Sequence, residues 1–239
     1  MLILSLDTSS PTGSVAVLRD QTTIGVISTR GEENYSSRMF RHLEFLLNDL
    51  SLKLDHFDLF AVSAGPGSFT GLRVGLTAAK GWAEVYKKPV AGVSALEAVA
   101  IQSRVTTPVV VPVLDARRGQ LYFGFYRRTD AGLALDGEEF VATPDEFAAQ
   151  LREREREKAR EKARDYTLTI VTPDAEVISV LAAHVEPGLA AIETASSVLA
   201  PFIGRIGHER ALRGAVNDAL TLDANYVRRT DAEMRWKDT

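Results

Sequence analysis

The sequence contains no cysteine in 239 residues, which excludes disulfide bonds, cysteine-ligated zinc or iron–sulfur sites and thiol catalysis. It contains no run of about 20 apolar residues, the length that a helix needs to cross a bilayer. The first ten residues carry no basic group, and Asp7 would interrupt the apolar core of a signal peptide. With 28 Lys and Arg against 32 Asp and Glu, the chain has no basic excess for unspecific binding to a nucleic-acid backbone. These absences predict a soluble, cytoplasmic protein.

Short β-branched segments alternate with apolar stripes of helical period, and this pattern predicts an α/β fold. Leu2–Leu6, Ser14–Arg19 and Thr22–Thr29 are expected to form three antiparallel strands. A helix over residues 39–50 follows, capped by Ser36 or Ser37. Further along, we expect strands at Leu59–Ala64, Pro89–Val93 and Leu168–Val171, and helices over residues 70–87, 175–184 and 196–215.

The pattern of the N-terminus returns near the middle of the chain. Val109–Leu114 ends at Asp115, and a turn containing Gly119 leads into the strand Leu121–Arg127, as the first strand ends at Asp7 before Gly13. An internal duplication is one interpretation, and chance is the other, because a strand followed by Asp and a turn is common. We predict two domains, residues 1–106 and 107–239.

A charged run, Arg152–Arg164, contains seven basic and four acidic residues. It could be an arm that contacts RNA. A solvated helix is favoured, because opposite charges recur three residues apart and support a helix by ~0.2–0.5 kcal/mol per pair. The pairs are Glu153–Arg156, Glu155–Lys158, Glu157–Arg160 and Glu161–Arg164.

The usual catalytic patterns are missing. The four histidines are scattered without the spacing of metal ligands, so no metal site is predicted. Ser68 does not fit a hydrolase nucleophile elbow, because Pro66 and Thr70 stand where that turn needs glycine. The same turn lacks the lysine of a phosphate-binding P-loop. The start of the helix that follows could still bind an anion, or Ser68 or Thr70 could simply cap it.

That helix carries a ridge of small residues, since Gly71, Gly75, Ala79 and Ala83 recur every four positions. Glycine costs about 1 kcal/mol relative to alanine inside a helix, so a close neighbour is expected to compensate. The neighbour could be the chain's own sheet or helix, or a helix of another protein.

Three stretches together resemble the TsaB (YeaZ-type) family, the bacterial subunit of threonylcarbamoyladenosine biosynthesis. They are Leu2–Ser9 (LILSLDTS), Gly65–Leu76 (GPGSFTGLRVGL) and Asp115–Gly119 (DARRG). The most specific part is the signature loop, made of Gly65, Pro66, Gly67, Ser68, Phe69 and Thr70. The resemblance implies two ribonuclease-H-like lobes with mixed sheets flanked by helices, as in the actin, sugar-kinase and Hsp70 superfamily. It further implies that the positions facing nucleotide phosphates are Asp7, Thr8, Ser9 and Asp115.

The family's catalytic paralogue, TsaD, carries a His-x-x-x-His metal pair at positions that match Ala95 and Val99 here. The resemblance therefore implies a non-catalytic subunit that supports TsaD together with the ATPase TsaE. That complex transfers a threonylcarbamoyl group to the adenosine beside the anticodon of tRNAs that read codons starting with A. ATP and a metal are expected only in the complex, with no cofactor held firmly by this chain. Contact with tRNA is expected at most within the complex, and contact with a membrane is not expected.

Family members are expected to form homodimers alone and to bind the paralogue through two helices of the first lobe. The implied interface residues are Met39, Phe40, Leu43, Leu47, Gly71, Leu72, Gly75, Leu76, Ala79 and Ala83. Two alternatives stay open: an independent ATP-dependent kinase of the same superfamily, and a chaperone-like scaffold. Against the kinase, the second half offers one acidic turn, at Asp115, and the chain is short for two lobes with substrate insertions.

Overall fold

The computed structural model describes residues 1–31, 35–159 and 168–227, which fall into two compact units. Unit 1 contains Met1–Ala98 and Ser197–Asn225, and unit 2 contains the described residues of Val99–Ser196 together with Tyr226 and Val227. The division near Ala98 lies eight residues before the predicted one at residue 106. The larger difference concerns Ser197–Asn225. This segment belongs to unit 1, whereas the sequence predicted that it belongs to the second domain.

The described strands are β1 (Leu2–Asp7), β2 (Ser14–Arg19), β3 (Thr22–Ser28), β4 (Leu59–Gly65), β5 (Val90–Ser94), β6 (Val109–Asp115), β7 (Leu121–Thr129), β8 (Gly132–Ala142), β9 (Leu168–Thr172) and β10 (Ala191–Thr194). The helices are α1 (Tyr35–Asp49), α2 (Phe69–Tyr86), α3 (Ala95–Ala100), α4 (Pro144–Ala159), α5 (Ala175–His184) and α6 (Ala200–Leu212). In the described part of the chain, no helix combines the length and apolar character needed to cross a membrane.

The two sheets have the same topology. In unit 1 the strand order is β3-β2-β1-β4-β5, and in unit 2 it is β8-β7-β6-β9-β10. The first three strands of each sheet are antiparallel, and the fourth and fifth run parallel to the first. The predicted fold class, two ribonuclease-H-like mixed sheets flanked by helices, is confirmed, and the repeated pattern in the sequence is a duplication of the fold.

Helices cover both faces of the sheet in unit 1. One face of β1, β2 and β4 forms an apolar core with α1 and α2, which includes Leu4, Val17 and Phe60. On the other face α6 lies so close to the sheet that a Cβ on Gly207 would be 2.9 Å from the Cβ of Ala61. This packing ties the chain after Ser197 to unit 1. α6 is shorter than the predicted helix over residues 196–215, because Pro201 lies at its start and Gly214, with φ of 69°, follows its end.

Unit 2 contains two strands that the sequence analysis missed, β8 and β10. β8 carries three acidic residues and β10 has only four residues, so neither shows a clear strand pattern. The core of this unit is aromatic, with the ring of Phe123 centred 4.8 Å from that of Phe147.

The charged run begins inside α4, where its first arginines bind other elements of unit 2. The Arg152 guanidinium lies 3.6 Å from a carboxylate oxygen of Glu186. The Arg154 guanidinium lies 2.9 Å from a carboxylate oxygen of Asp136 and also lies over the ring of Phe125. These contacts join the run to other elements and are not the predicted pairs three residues apart, and Glu155–Lys158, Glu157–Arg160 and Glu161–Arg164 include side chains outside the described ones. Its end, residues 160–164, lies outside the described residues.

Candidate functional site

The carboxyl end of β1 carries a buried carboxylate. Asp7 has no exposed surface, and its carboxylate accepts hydrogen bonds from the Ser9 N–H at 2.9 Å, the Ser9 hydroxyl at 2.5 Å and the Ser10 hydroxyl at 3.3 Å. Burial raises the pKa of Asp7, because the charged form loses its hydration, and the bonds from Ser9 and Ser10 offset part of that rise. The turn that follows β1 is thus folded around its own carboxylate.

The signature loop and the start of α2 hold this turn from the other side. The Thr8 hydroxyl donates to the Gly71 carbonyl oxygen at 2.7 Å, and the Ser68 N–H donates to the Ser9 carbonyl oxygen at 2.8 Å. A Cβ on Gly71 would overlap the carbonyl oxygen of Thr8, and one on Gly75 would overlap its hydroxyl. The glycines of α2 therefore make room for Thr8. Ser68 caps α2 by accepting from the Gly71 N–H at 3.3 Å, so of the two expected caps Ser68 is confirmed.

The predicted ridge of small residues is internal, and the expectation that it forms the partner surface is wrong. The ridge packs on Thr8 and the core of unit 1, which bury its side chains within the chain itself. Eight of the ten predicted interface residues are buried: Met39, Leu43, Gly71, Leu72, Gly75, Leu76, Ala79 and Ala83. Phe40 is 52% exposed and Leu47 is half-buried.

The outer faces of α1 and α2 carry a different apolar set. On α2, Val74, Ala78, Gly81 and Val85 follow one another at spacings of four, three and four residues, which is the spacing of a helix–helix seam. Val74 and Ala78 are half-buried, and Val85 is 71% exposed. A Cβ on Gly81 would meet no atom within 4 Å. Within the described residues, no contact therefore accounts for this glycine.

The neighbouring helix continues this surface. Phe40 and Leu47 are seven residues apart on α1, so they lie on one side of it two turns apart. The helix packs beside α2. We call Phe40, Leu47, Val74, Ala78, Gly81 and Val85 the outer seam. Sequence reasoning found only Phe40 and Leu47 of this set, and the 4-3-4 spacing on α2 was the signal that could have revealed the others.

The second acidic turn differs from the first. The side chain of Asp115 is 36% exposed, accepts from the Arg117 N–H at 2.7 Å and lies 3.3 Å from the Arg117 guanidinium. Arg118 and Gly119 have φ of 54° and 70°, and the Gln120 N–H donates to the Arg117 carbonyl oxygen at 3.0 Å. Arg117 has φ of 64° as well, so three successive residues of the turn between β6 and β7 adopt left-handed backbone.

The residues proposed to face nucleotide phosphates do not fit that role at the first turn. Asp7, Thr8 and Ser9 are buried, and their side chains bind the turn itself or α2. A phosphate or a metal ion at Asp7 would require this turn to open. Ala95 and Val99, the positions that match the paralogue's metal pair, are both buried apolar residues. Within the described residues, no three His, Asp or Glu side chains are grouped closely enough to hold a metal ion.

The environment of His208 was not foreseen. His208 is buried on α6, where its Nδ1 lies 2.9 Å from the Gln21 amide nitrogen and its Nε2 lies 3.5 Å from an Asp20 carboxylate oxygen. α6 packs against the first sheet, and this packing brings His208 close to Asp20 and Gln21. The sequence around His208 does not predict this contact, because the residues are far apart along the chain.

The raised pKa of Asp7 predicts a measurable pH effect. Because the folded-state pKa lies above the ordinary value of 3.8, the stability that protonated Asp7 contributes is present below about pH 4 and is lost as the pH rises through the folded-state pKa. Asp7→Asn keeps an oxygen that can accept from Ser9 and removes the buried charge. We expect the variant to melt at a higher temperature than the wild type at pH 7. We also expect it to lose less stability between pH 4 and pH 7. Equal pH dependence of the two melting temperatures would contradict this prediction.

Comparisons with known proteins agree with the resemblance seen in the sequence. A family model described as "TsaD: tRNA N6-adenosine threonylcarbamoyltransferase" matches residues 15–199. The tRNA threonylcarbamoyladenosine biosynthesis protein TsaB of Bacillus subtilis (strain 168) is 39% identical over 127 residues, which are 53% of this chain and 56% of that protein. TsaB of Escherichia coli (strain K12) is 32% identical over 147 residues, which are 59% of this chain and 62% of that protein. The chain thus matches over little more than half the length of these relatives.

A solved structure shares the fold over nearly the whole chain. YeaZ from Pseudomonas aeruginosa superposes with a TM-score of 0.73 at 22% identity, covering 94% of this chain and 99% of that one. The family model covers more than half of the chain. This protein therefore belongs to the tRNA N6-adenosine threonylcarbamoyltransferase (TsaD) family, and its predicted resemblance to TsaB of the YeaZ type is confirmed.

Proposed function

We propose that this chain is a non-catalytic subunit of a complex that makes threonylcarbamoyladenosine in tRNA, where it binds the catalytic paralogue TsaD and supports it together with the ATPase TsaE. The similar TsaB proteins of Bacillus subtilis and Escherichia coli are named for threonylcarbamoyladenosine biosynthesis. The adenosine that receives the group lies next to the anticodon of tRNAs that read codons starting with A. Alone, the chain forms a homodimer.

The observation that carries this proposal is the outer seam on α1 and α2. Apolar side chains at helix–helix spacing leave Phe40 and Val85 exposed, and the exposed Gly81 lets another helix approach closely. A pair of helices from the paralogue suits this surface, since ridges of one helix pack into the grooves of another. The docking surface is therefore the outer seam rather than the buried ridge.

The inner side of the same helices supports a structural role for this subunit. α2 closes over the Asp7 turn, so the described geometry offers no open phosphate site there. We propose that ATP and a metal act only in the complex and that this subunit holds no cofactor firmly. Contact with tRNA occurs at most within the complex.

Reconstitution tests the proposal directly. Threonylcarbamoyl incorporation into tRNA is measured with TsaD and TsaE of the same organism, with and without this chain, and the mass of the assembled complex is determined in parallel. We expect no incorporation and no steady ATP hydrolysis by the chain alone, and incorporation only when TsaD and the chain form one complex. Equal incorporation without the chain would contradict the proposal. Steady phosphotransfer by the isolated, repurified chain would favour the kinase alternative.

A further inference from the structure

Four polar side chains lie on the face of the first sheet that α6 covers. All four are fully buried and come from three neighbouring strands: Ser5 and Asp7 on β1, Ser14 on β2 and Ser63 on β4. Side chains alternate between the two faces of a strand, so Ser5 and Asp7 share one face of β1. Ser5 identifies this face, because its hydroxyl donates to the Ala200 carbonyl oxygen of α6 at 2.6 Å.

Ser63 shares this face with Asp7. Ala61 lies two residues before Ser63 on β4, and a Cβ on Gly207 of α6 would be 2.9 Å from the Cβ of Ala61. Strands β1 and β4 are parallel, in a register that pairs Ser5 with Ala61. The same register places Ser63 beside Asp7. The Ser63 hydroxyl therefore points into the buried layer that contains the Asp7 carboxylate.

Three of these four side chains have partners among the described residues. Ser5 binds the Ala200 carbonyl oxygen, and the Ser14 hydroxyl accepts from the Ala200 N–H at 3.0 Å. The Asp7 carboxylate accepts from its own turn. Ser63 is the exception, because its Oγ is buried and has no hydrogen-bond partner in the described part of the chain. A buried hydroxyl without a partner is costly, and ordered water commonly satisfies such groups in folded proteins.

The Asp7 carboxylate has an oxygen that can accept from such a water. Its Oδ1 accepts two hydrogen bonds of 2.9 and 2.5 Å, both from Ser9, whereas its Oδ2 accepts one long bond, from the Ser10 hydroxyl at 3.3 Å. An ionised carboxylate offers about four lone-pair sites. Neighbouring strands lie about 4.8 Å apart, and two O–H···O hydrogen bonds to one water span about 4.5 Å. The spacing of Asp7 and Ser63 therefore suits a single bridging water.

We propose that one buried water molecule is bound between the first sheet and α6, where it accepts from the Ser63 hydroxyl and donates to Asp7 Oδ2. The ligand is neutral water rather than an anion, because the Asp7 carboxylate would repel an anion. The site joins the carboxyl ends of β1 and β4, from which the Asp7 turn and the signature loop continue. The water thus helps to hold together the two segments that close over the start of α2, independently of the role proposed for the chain in the complex.

A crystal structure of the full chain, at a resolution that shows ordered water, tests the site directly. We expect one density peak about 2.8 Å from both Ser63 Oγ and Asp7 Oδ2. The lack of a peak between these two atoms would overturn the proposal. A peak with contacts of about 2.4 Å to roughly six or more oxygen atoms would overturn it in favour of a cation.

Ser63→Ala tests the same site by the sign of its effect. Loss of a hydroxyl that holds the water should lower the melting temperature at pH 7 by roughly 2–4 °C. An unchanged or higher melting temperature would mean that the hydroxyl has no partner in solution, and it would overturn the proposal. The matched control is Thr23→Val on β3, which does not pair with β1. Thr23 Oγ1 is also buried without a described partner, so the control should not lower the melting temperature.

A double-mutant cycle with Asp7→Asn tests whether Asp7 shares the water. An ionised carboxylate forms stronger hydrogen bonds than an amide does. Ser63→Ala should therefore lower the melting temperature less in the Asp7→Asn background than in the wild type. Equal losses in the two backgrounds would show that Ser63 and Asp7 do not bind the same water, and they would overturn the bridge.

Discussion

Gly71→Ala is expected to lower the stability of unit 1 strongly. The new Cβ would overlap the carbonyl oxygen of Thr8, and this contact is with backbone, which cannot rotate away. The same residue accepts the hydrogen bond of the Thr8 hydroxyl, so relief of the overlap would stretch that bond. Overpacking of this kind typically costs ~1–3 kcal/mol, and we expect the upper part of that range. Thermal and urea unfolding of the purified variant measure the loss.

Gly81→Ala is the matched control on the same helix. A Cβ at Gly81 meets no atom within 4 Å, so the change replaces a poor helix former by a good one and should stabilise α2 by up to about 1 kcal/mol. The same substitution thus has opposite signs at two positions ten residues apart. Equal effects on the melting temperature at both positions would contradict the packing described for Gly71.

The sequence predicted that the ridge of small residues has a close neighbour, but it could not predict which part of the structure that neighbour is. The periodicity of Gly71, Gly75, Ala79 and Ala83 correctly required a close neighbour, because glycine is costly inside a helix. The identity of that neighbour depends on tertiary structure. Thr8, which occupies the space, lies 63 residues away in sequence from Gly71. Local pattern reveals the need for a contact, and only the fold shows whether the contact lies within the chain or with a partner.

The topology was the more predictable part. Strands with clear β-branched runs, such as β1 and β2, begin and end close to the predicted residues, and the repeat of strand, Asp and turn reported the duplication of the sheet. β8 and β10 were missed because edge strands carry charge in place of an apolar pattern. The division of the chain at Ser197 was missed for another reason. It depends on the long-range packing of α6 on the first sheet, as the buried His208 does.

The Asp7 turn shows a similar limit. The sequence predicted that Asp7 lies at the end of a buried strand. The family resemblance implied that its side chain faces a nucleotide phosphate. The structure instead satisfies the carboxylate with Ser9 and Ser10 and closes the turn with Ser68 and Gly71. In the described geometry the Asp7 turn joins β1 to α2, and a role of this turn towards a nucleotide stays a prediction.

The second large effect is expected at the outer seam, where Phe40→Glu should weaken binding to TsaD. Phe40 is 52% exposed on α1, and large aromatic residues in the middle of an interface commonly contribute about 2 kcal/mol or more. A buried glutamate would add the cost of removing its charge from water. We expect the dissociation constant to rise by more than tenfold, which corresponds to about 1.4 kcal/mol. Titration calorimetry with purified TsaD of the same organism measures the change.

The control for this variant is Leu212→Glu, which introduces the same charge at a 71% exposed position at the end of α6. It should bind TsaD like the wild type, because Leu212 is not part of the outer seam. Melting temperatures of both variants near the wild-type value would show that any loss of binding does not arise from unfolding.

Since Phe40 projects from the fold while Ala79 is buried, Ala79→Leu should lower the melting temperature and leave the affinity of the folded chain for TsaD unchanged. Normal binding by Phe40→Glu, with weakened binding by folded Ala79→Leu, would show that the partner reaches the ridge and that the outer seam is not the docking surface.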